Sequence, residues 1–254
     1  IQFGIYLRDI FVHGDWGVSD VLYFGQDVWS IFISKLPATM IVNFYSIILS
    51  IPIGIIFGII AAIKKNTWID HTISTMTIVC IAVPSFVYAF LIQYFVSYKL
   101  GWLPFLMASG TDYFTWPMFK SMLPAILSLS LSVIAGFTRV TRAELTEVLT
   151  SEFMLLARTK GLTKRQAVLR HAMRNSMVVI FPSILSEFVS VLSGSLIIEK
   201  MFGVNGVGGL YLNSITFQDY DFFMLLSGFY TLVSLTAGIV IDISYGFIDP
   251  RIRM

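Results

Sequence analysis

Charged side chains are scarce in this sequence, at 13% of 254 residues, against roughly a quarter in an average soluble domain. The shortage excludes a water-facing globule, because too little polar side chain remains to cover one. Cysteine is almost absent: Cys80 has no partner for an intrachain disulfide and sits in an apolar stretch as a small hydrophobe. His13, His71 and His171 are far apart and make no metal-ligand spacing, so no metal site is read. The G-x-x-x-x-G-K loop that cradles phosphates is missing too, so any nucleotide chemistry must belong to another chain. A net charge of +2 lacks the concentrated basic surface of a nucleic-acid binder. Residues 1–34 are mixed polar and aromatic, without the charged-then-apolar order of a signal peptide, and no internal repeat or low-complexity tract follows.

What is present is apolar sequence, 56% of the chain, gathered in runs long enough to cross a bilayer. Breaks at charged or Gly/Pro-rich joints place five spans near Leu36 to Ile63, Ile69 to Tyr98, Met122 to Val140, Met177 to Ile198 and Phe222 to Ile248. Twelve of the seventeen basic residues fall in one alternating set of loops, beside Lys64 and Lys65, between Arg139 and Arg174, and at Arg251 and Arg253. The opposite set holds only Arg8, Lys35, Lys99, Lys120 and Lys200, with eight acids. Basic loops face the cytoplasm, so the N-terminus is outside and the C-terminus inside. Trp68, Tyr98, Trp102 and Trp116 fall near span ends, where amphipathic rings prefer to sit.

One cytoplasmic loop, about residues 142–175, is far longer than a turn between two spans needs. Leu149, Phe153 and Leu156 recur at i, i+4 and i+7, which predicts a short helix with one apolar face. Arg158 and Lys160 fall in its last turn, and Gly161 follows as a left-handed C-cap. Thr163 and Gln166 then form a capping box that opens a second helix. By periodicity this is either a surface that docks a soluble partner or a solvated charged loop. A DNA-binding helix-turn-helix is disfavoured, because spans tether both of its ends at the membrane.

The runs Arg142-Ala143-Glu144-Leu145, Ala157-Arg158-Thr159-Lys160-Gly161-Leu162 and Arg170-His171-Ala172-Met173-Arg174-Asn175 resemble the signature loop of peptide/nickel-type ABC importer permeases. Gly14-Asp15-Trp16-Gly17, Leu36-Pro37-Ala38-Thr39, Pro84-Ser85-Phe86, Gly101-Trp102-Leu103-Pro104 and Asp249-Pro250-Arg251 match further family landmarks in family order. Glu199-Lys200-Met201-Phe202 with Gly206-Val207-Gly208 resembles the B-type subunit, although Asn205 stands where that pattern usually has proline. Leu155 and Leu156 replace the Glu and first Ala of the general importer motif, as is usual in the peptide branch.

The resemblance implies an all-α polytopic membrane protein with the type I ABC importer transmembrane fold. Five spans are expected here against six in the family, the first one being absent from this chain. Residues 1–35 would be an extracytoplasmic segment, 36–248 the transmembrane domain and 249–254 a cytoplasmic tail. The ATPase-coupling residues implied are Glu152, Phe153, Leu156, Ala157, Arg158, Lys160, Gly161, Leu162, Thr163, His171 and Arg174. The implied partners are a paired C-type permease, two ATP-binding subunits that hold ATP and magnesium, and an extracytoplasmic substrate-binding protein. Membrane lipid surrounds the assembly and a peptide is the cargo, with no cofactor in this chain and no nucleic acid. Residence in a bacterial or archaeal cytoplasmic membrane is expected.

Within the spans, Glu187 is an ionisable group at mid-membrane, which is by default functional. It is read as lining the translocation path or as a structural partner, while Asp242 is read as an interhelical hydrogen-bonding group. Gly54, Gly58 and Ala62 make a small-x-x-x-small stripe for close helix approach, or a chance spacing. Pro52, Pro84 and Pro182 each remove a helical hydrogen bond and can kink a span. Rival readings are an intramembrane enzyme using Glu187 and Asp242, and a secondary transporter using them as proton relays.

Overall fold

The computed structural model describes residues 2–152, 154, 159, 161, 163–168 and 172–248, and among these every regular element is a helix. Helix α1 is Gln2–Arg8, continued by π-wound turns to His13; α2 is Val28–Ile63, α3 Trp68–Ala82, α4 Ser85–Lys99 and α5 Trp116–Thr150. After the short α6, Lys164–Ala167, come α7, Met173–Ser190; α8, Leu196–Phe202; α9, Val207–Thr216; and α10, Tyr220–Ile248. Helices α2, α5 and α10 are each long and apolar enough to cross a membrane unbroken. The α3–α4 pair supplies a fourth candidate crossing, bent by 101°.

That bend sits at Pro84, whose ring drives Val83 out of the helical region to φ −85° and ψ 126°. Tyr88 donates its hydroxyl to the Cys80 carbonyl at 2.5 Å, satisfying an acceptor released by the break. Pro52 and Pro182, by contrast, lie inside helices that continue through them.

Several boundaries differ from the expected ones. Asp27 accepts a hydrogen bond from the Ser30 amide at 2.7 Å as N-cap, so α2 begins at Val28 rather than Leu36 and takes in part of the expected N-terminal segment. Helix α5 outruns its expected Met122 to Val140 at both ends. Its 35 residues span about 50 Å, more than the ~30 Å hydrocarbon core, so the helix projects beyond the bilayer. The expected span Met177 to Ile198 is not one helix. It ends at Ser190 and resumes at Leu196 across Gly194, whose φ is +63°, because the run contains two serines and a glycine where tertiary contacts to α2 compete with helix continuation.

The core runs along the α2–α5 contact. A Cβ on Gly54 would lie 2.7 Å from the Phe137 Cβ, and one on Gly58 would lie 2.5 Å from the Thr141 Cβ, so both glycines are needed for the helices to touch. Thr138 donates to the Gly54 carbonyl at 3.2 Å across this contact, and the Ser46 and Ser130 hydroxyls meet at 3.2 Å. Ala62, the third member of the stripe, is buried beside Leu145. Around this axis Ile47, Ile51 and Phe137 pack on Ile180 of α7, while Val28 and Phe32 pack on Val207, Phe222 and Leu226. Helix α10 packs mainly on α7 and leaves Leu232, Leu235, Ile239, Ile243 and Phe247 exposed along one side. Such a stripe suits lipid or a second membrane chain.

Candidate functional site

The end of the molecule where the α2–α3 turn meets the C-terminal turns of α5 is built from charge and small apolar residues. Asp70, in the first turn of α3 and 1% exposed, accepts from Arg142 Nε at 2.5 Å and from its second nitrogen at 2.9 Å. It also accepts from the Asn66 amide at 2.9 Å, which holds the turn between α2 and α3 in place. The bidentate geometry fits a guanidinium fork to a carboxylate. It fastens α3 to the projecting part of α5. Arg142 stands only in the run that resembles the signature loop, and nothing in the separation of 72 positions signals its pairing with Asp70.

Beyond Arg142, α5 ends at Thr150 because Ser151 turns to φ −73° and ψ 154°. Leu149 therefore belongs to the last turn of α5, whereas Phe153 and Leu156, the rest of the expected i, i+4, i+7 stripe, lie outside the described residues. Leu149 packs with Leu145, Met154, Ala167 and Ala172 in a cluster inside the chain itself. The ends of the loop are thus anchored by the chain's own core. Glu152, Gly161, Thr163 and Arg174 are exposed. Gly161 has φ +84°, the left-handed conformation expected of it. The capping box forms as well, with the Gln166 amide donating to Thr163 Oγ1 at 3.3 Å and the Thr163 amide to Gln166 Oε1 at 3.1 Å. Phe153, Leu156, Ala157, Arg158, Lys160, Leu162 and His171 lie outside the described residues.

Glu187 lies near the end of α7 rather than at mid-span, on the wall of a cavity of about 480 Å³ between α5, α7 and α10. Ser132, Ser183, Ser186 and Tyr245 share that wall, so a polar strip runs through an otherwise apolar groove. The Glu187 carboxylate accepts from Ser190 at 3.2 Å. Asp242 lies exposed on α10, and its side chain makes no hydrogen bond among the described residues. The two carboxylates therefore do not form a pair that shares one site.

At the other end of the molecule α8, α9 and the turn between them fold back against α2. Glu199, 1% exposed, accepts from Thr39 Oγ1 at 2.9 Å and from the Gly208 amide at 2.8 Å, while Thr39 accepts from the Val207 amide at 2.8 Å. Burial pushes the Glu199 carboxyl up from its ordinary range, against the pull of these hydrogen bonds. A Cβ on Gly206 would collide with both Thr39 Oγ1 and Glu199 Oε2. Glu199 is thus the peg on which the returning turn hangs. In the sequence Glu199 stands only within a motif, although a lone acid amid Leu, Ile and Met marks it out.

Asp219 ties down the N-terminal segment in the same manner, accepting from Ser19 Oγ at 2.6 Å and from the Leu22 amide at 3.0 Å. Burial would raise its pKa, but the bonds from Ser19, Leu22, Val21 and Phe222 outweigh that and leave it below the ordinary value. Among the described residues no group of histidine, cysteine or carboxylate side chains is arranged to hold a metal ion.

Comparison with known proteins fits this architecture. Over 253 residues the chain is 32% identical to the dipeptide transport system permease protein DppB of Lactococcus lactis subsp. cremoris (strain MG1363), covering 100% of this chain and 80% of that protein. It is also 32% identical over 252 residues to the oligopeptide transport system permease protein OppB of Escherichia coli (strain K12), covering 99% of this chain and 80% of the relative. Among solved structures, the MetNI methionine ABC transporter in an inward-facing conformation superposes with a TM-score of 0.64 at 13% identity, over 85% of this chain and 96% of that one. An amino acid ABC transporter crystallised with histidines gives 0.62 at 19% identity, over 85% and 94%. These two establish a shared fold. Residues 54–254 match the family described as the binding-protein-dependent transport system inner membrane component, and the chain belongs to that family.

Proposed function

We propose that this chain is a pore-forming permease subunit of an ATP-driven peptide importer in a bacterial cytoplasmic membrane, with oligopeptides or dipeptides as cargo. The observation that carries the reading is its similarity, over nearly its whole length, to permeases named for dipeptide and oligopeptide transport. In this reading the chain performs no catalysis. ATP and magnesium bind two partner ATPases, a second permease of C type completes the pore, and a substrate-binding protein delivers cargo from outside. Residues 36–248 form the transmembrane domain, and the loop at about 142–175 is the coupling element.

The mechanism follows from how that loop is held. Closure of the ATPases presses on the exposed residues around Gly161 and Thr163. The loop's ends pack on Leu145 and Ala62, so the force passes to α5 and α2. The Asp70–Arg142 fork carries it on to α3. Packed helices transmit such displacement as rigid bodies, because a close-packed contact shifts between discrete arrangements instead of yielding gradually. Glu187 and the serines beside it line the groove through which a peptide's polar groups would pass.

Reconstitution tests this reading. The purified chain alone should hydrolyse no ATP and move no peptide, and addition of a C-type permease, two ATPases and a loaded binding protein should restore both. ATP hydrolysis by the rigorously purified chain alone would refute it.

A further inference from the structure

We propose that the cavity lined by Lys35 and Lys200, on the outer side of the chain, is a carboxylate site that receives the C-terminal carboxylate of an incoming peptide. The proposal rests on the peptide reading above and names the point where such a cargo is first held. The cavity, about 560 Å³, opens between the first turns of α2, residues 107–113 and the α8–α9 turn. By the distribution of basic residues all three belong to the extracytoplasmic side. Its volume suits the end of a peptide and not a whole chain, since small-ligand sites run from about 300 to 1,000 Å³.

Charge makes the case. The outer segments carry only five basic residues against eight acids, yet two of the five, Lys35 and Lys200, line this one cavity. Glu199 is the sole acid on its wall among the described residues, and it is buried with its two oxygens engaged by Thr39 and Gly208. The positive charge of the cavity is therefore uncancelled by any accessible carboxylate, on a face that is otherwise acidic. A negatively charged group drifting along that face is drawn to this recess.

The site is also built rather than merely charged. Lys35 Nζ lies 2.5 Å from Asn205 Oδ1 and 5.4 Å over the Tyr23 ring, so the ammonium is held in place before any ligand arrives. An ammonium has three donors and the Asn205 bond uses one, which leaves two for a ligand. Asn205 lies in the turn that Glu199 pegs to α2, and so the lysine's partner is itself fixed by a buried network. Thr111 and Asn213 add neutral donors and acceptors on the same wall, suited to the last peptide group.

The assay uses the full transporter in proteoliposomes, supplied with a tetrapeptide or its C-terminal amide at concentrations that saturate the binding protein. Maximal uptake rates then report passage through the permease and not capture. The parent complex should favour the free acid. The double variant Lys35→Gln, Lys200→Gln should lower the acid rate roughly tenfold, as expected from losing a hydrogen bond to a charged group, and leave the amide rate unchanged. Lys35→Arg, Lys200→Arg should retain most of the preference. Lys200→Gln alone repeats the test without disturbing the Asn205 contact, so a misassembled double variant does not decide the matter. Equal losses for acid and amide, with weaker stimulation of the ATPases by the binding protein, would place an acidic side chain of that protein in the cavity and overturn the proposal. Unchanged rates for both would overturn it too. A parent complex that hydrolyses ATP but moves neither ligand would refute the peptide reading, and this inference with it.

Discussion

Replacing Arg142 by methionine should destabilise the protein more than replacing Asp70 by asparagine, although both remove the same ion pair. Asp70 is 1% exposed, so without the guanidinium its charge stays buried with only the Asn66 amide and the Ser74 hydroxyl as donors. Breaking a buried pair in this way costs about 3–5 kcal/mol, and the lower end applies because the Arg142 side chain is 33% exposed. In Asp70→Asn the freed guanidinium can turn to water, and the new amide oxygen still accepts from Asn66. That loss should be about 1–2 kcal/mol. The double variant should then cost clearly less than the two single losses together, since neither charge is left behind. Denaturant unfolding in detergent, followed by tryptophan fluorescence, gives all three values as one cycle. If the two single losses add in the double variant, or if Asp70→Asn is the more damaging, the pair is not the coupled buried fork described here.

Gly161→Val should leave membrane abundance near normal and abolish uptake. A Cβ there meets nothing within 4 Å, so the change strains only the positive-φ backbone, by about 1–2 kcal/mol, in a loop outside the spans; parent-like uptake would remove the loop from the coupling role. Gly58→Leu should prevent close packing of α2 on α5 and sharply lower the yield of folded protein, because even its Cβ would lie 2.5 Å from Thr141. Gly238→Ala, with open space around it, should be neutral or slightly stabilising, and equal yields of the two variants would contradict the close approach. Asp219 should make docking of the N-terminal segment pH-dependent. Its folded-state pKa is below the ordinary value, so its stabilisation is complete above about pH 4 and fades as pH falls through the lower folded value. Limited proteolysis of residues 14–27 should show that loss in the parent, and Asp219→Asn should abolish the dependence.

The sequence by itself determined the solvent, the helical class and the family. Scarcity of charge and long apolar runs leave only a membrane as a medium, and a single chain there satisfies its backbone with helices or a closed barrel. Runs this long are too extended for strands. Local devices were legible for the same reason: the Thr163–Gln166 box and the left-handed Gly161 depend on residues within one or two turns of each other. The Gly54–Gly58 stripe was legible as a contact, but not its partner. Its meeting with Phe137 and Thr141 is a matter of helix register in three dimensions.

What only the tertiary structure decided lies where distant segments compete with local propensity. The hydropathy of Met177 to Ile198 reads as one span, yet the chain breaks after Ser190, because Thr39 of α2 and Glu199 lock together and draw the following turn back into the molecule. Leu149 reads as the start of a separate short helix, yet it lies in the last turn of α5, and the turn at Ser151 lets it close on Ala167 and Ala172. The pairing of Asp70 with Arg142 joins residues 72 positions apart, and no local rule matches an acid to a base over such a distance. Nor could composition show that Lys35 and Lys200 share one cavity. Each of these features is a long-range contact, settled by which helices pack together and not by the residues on either side.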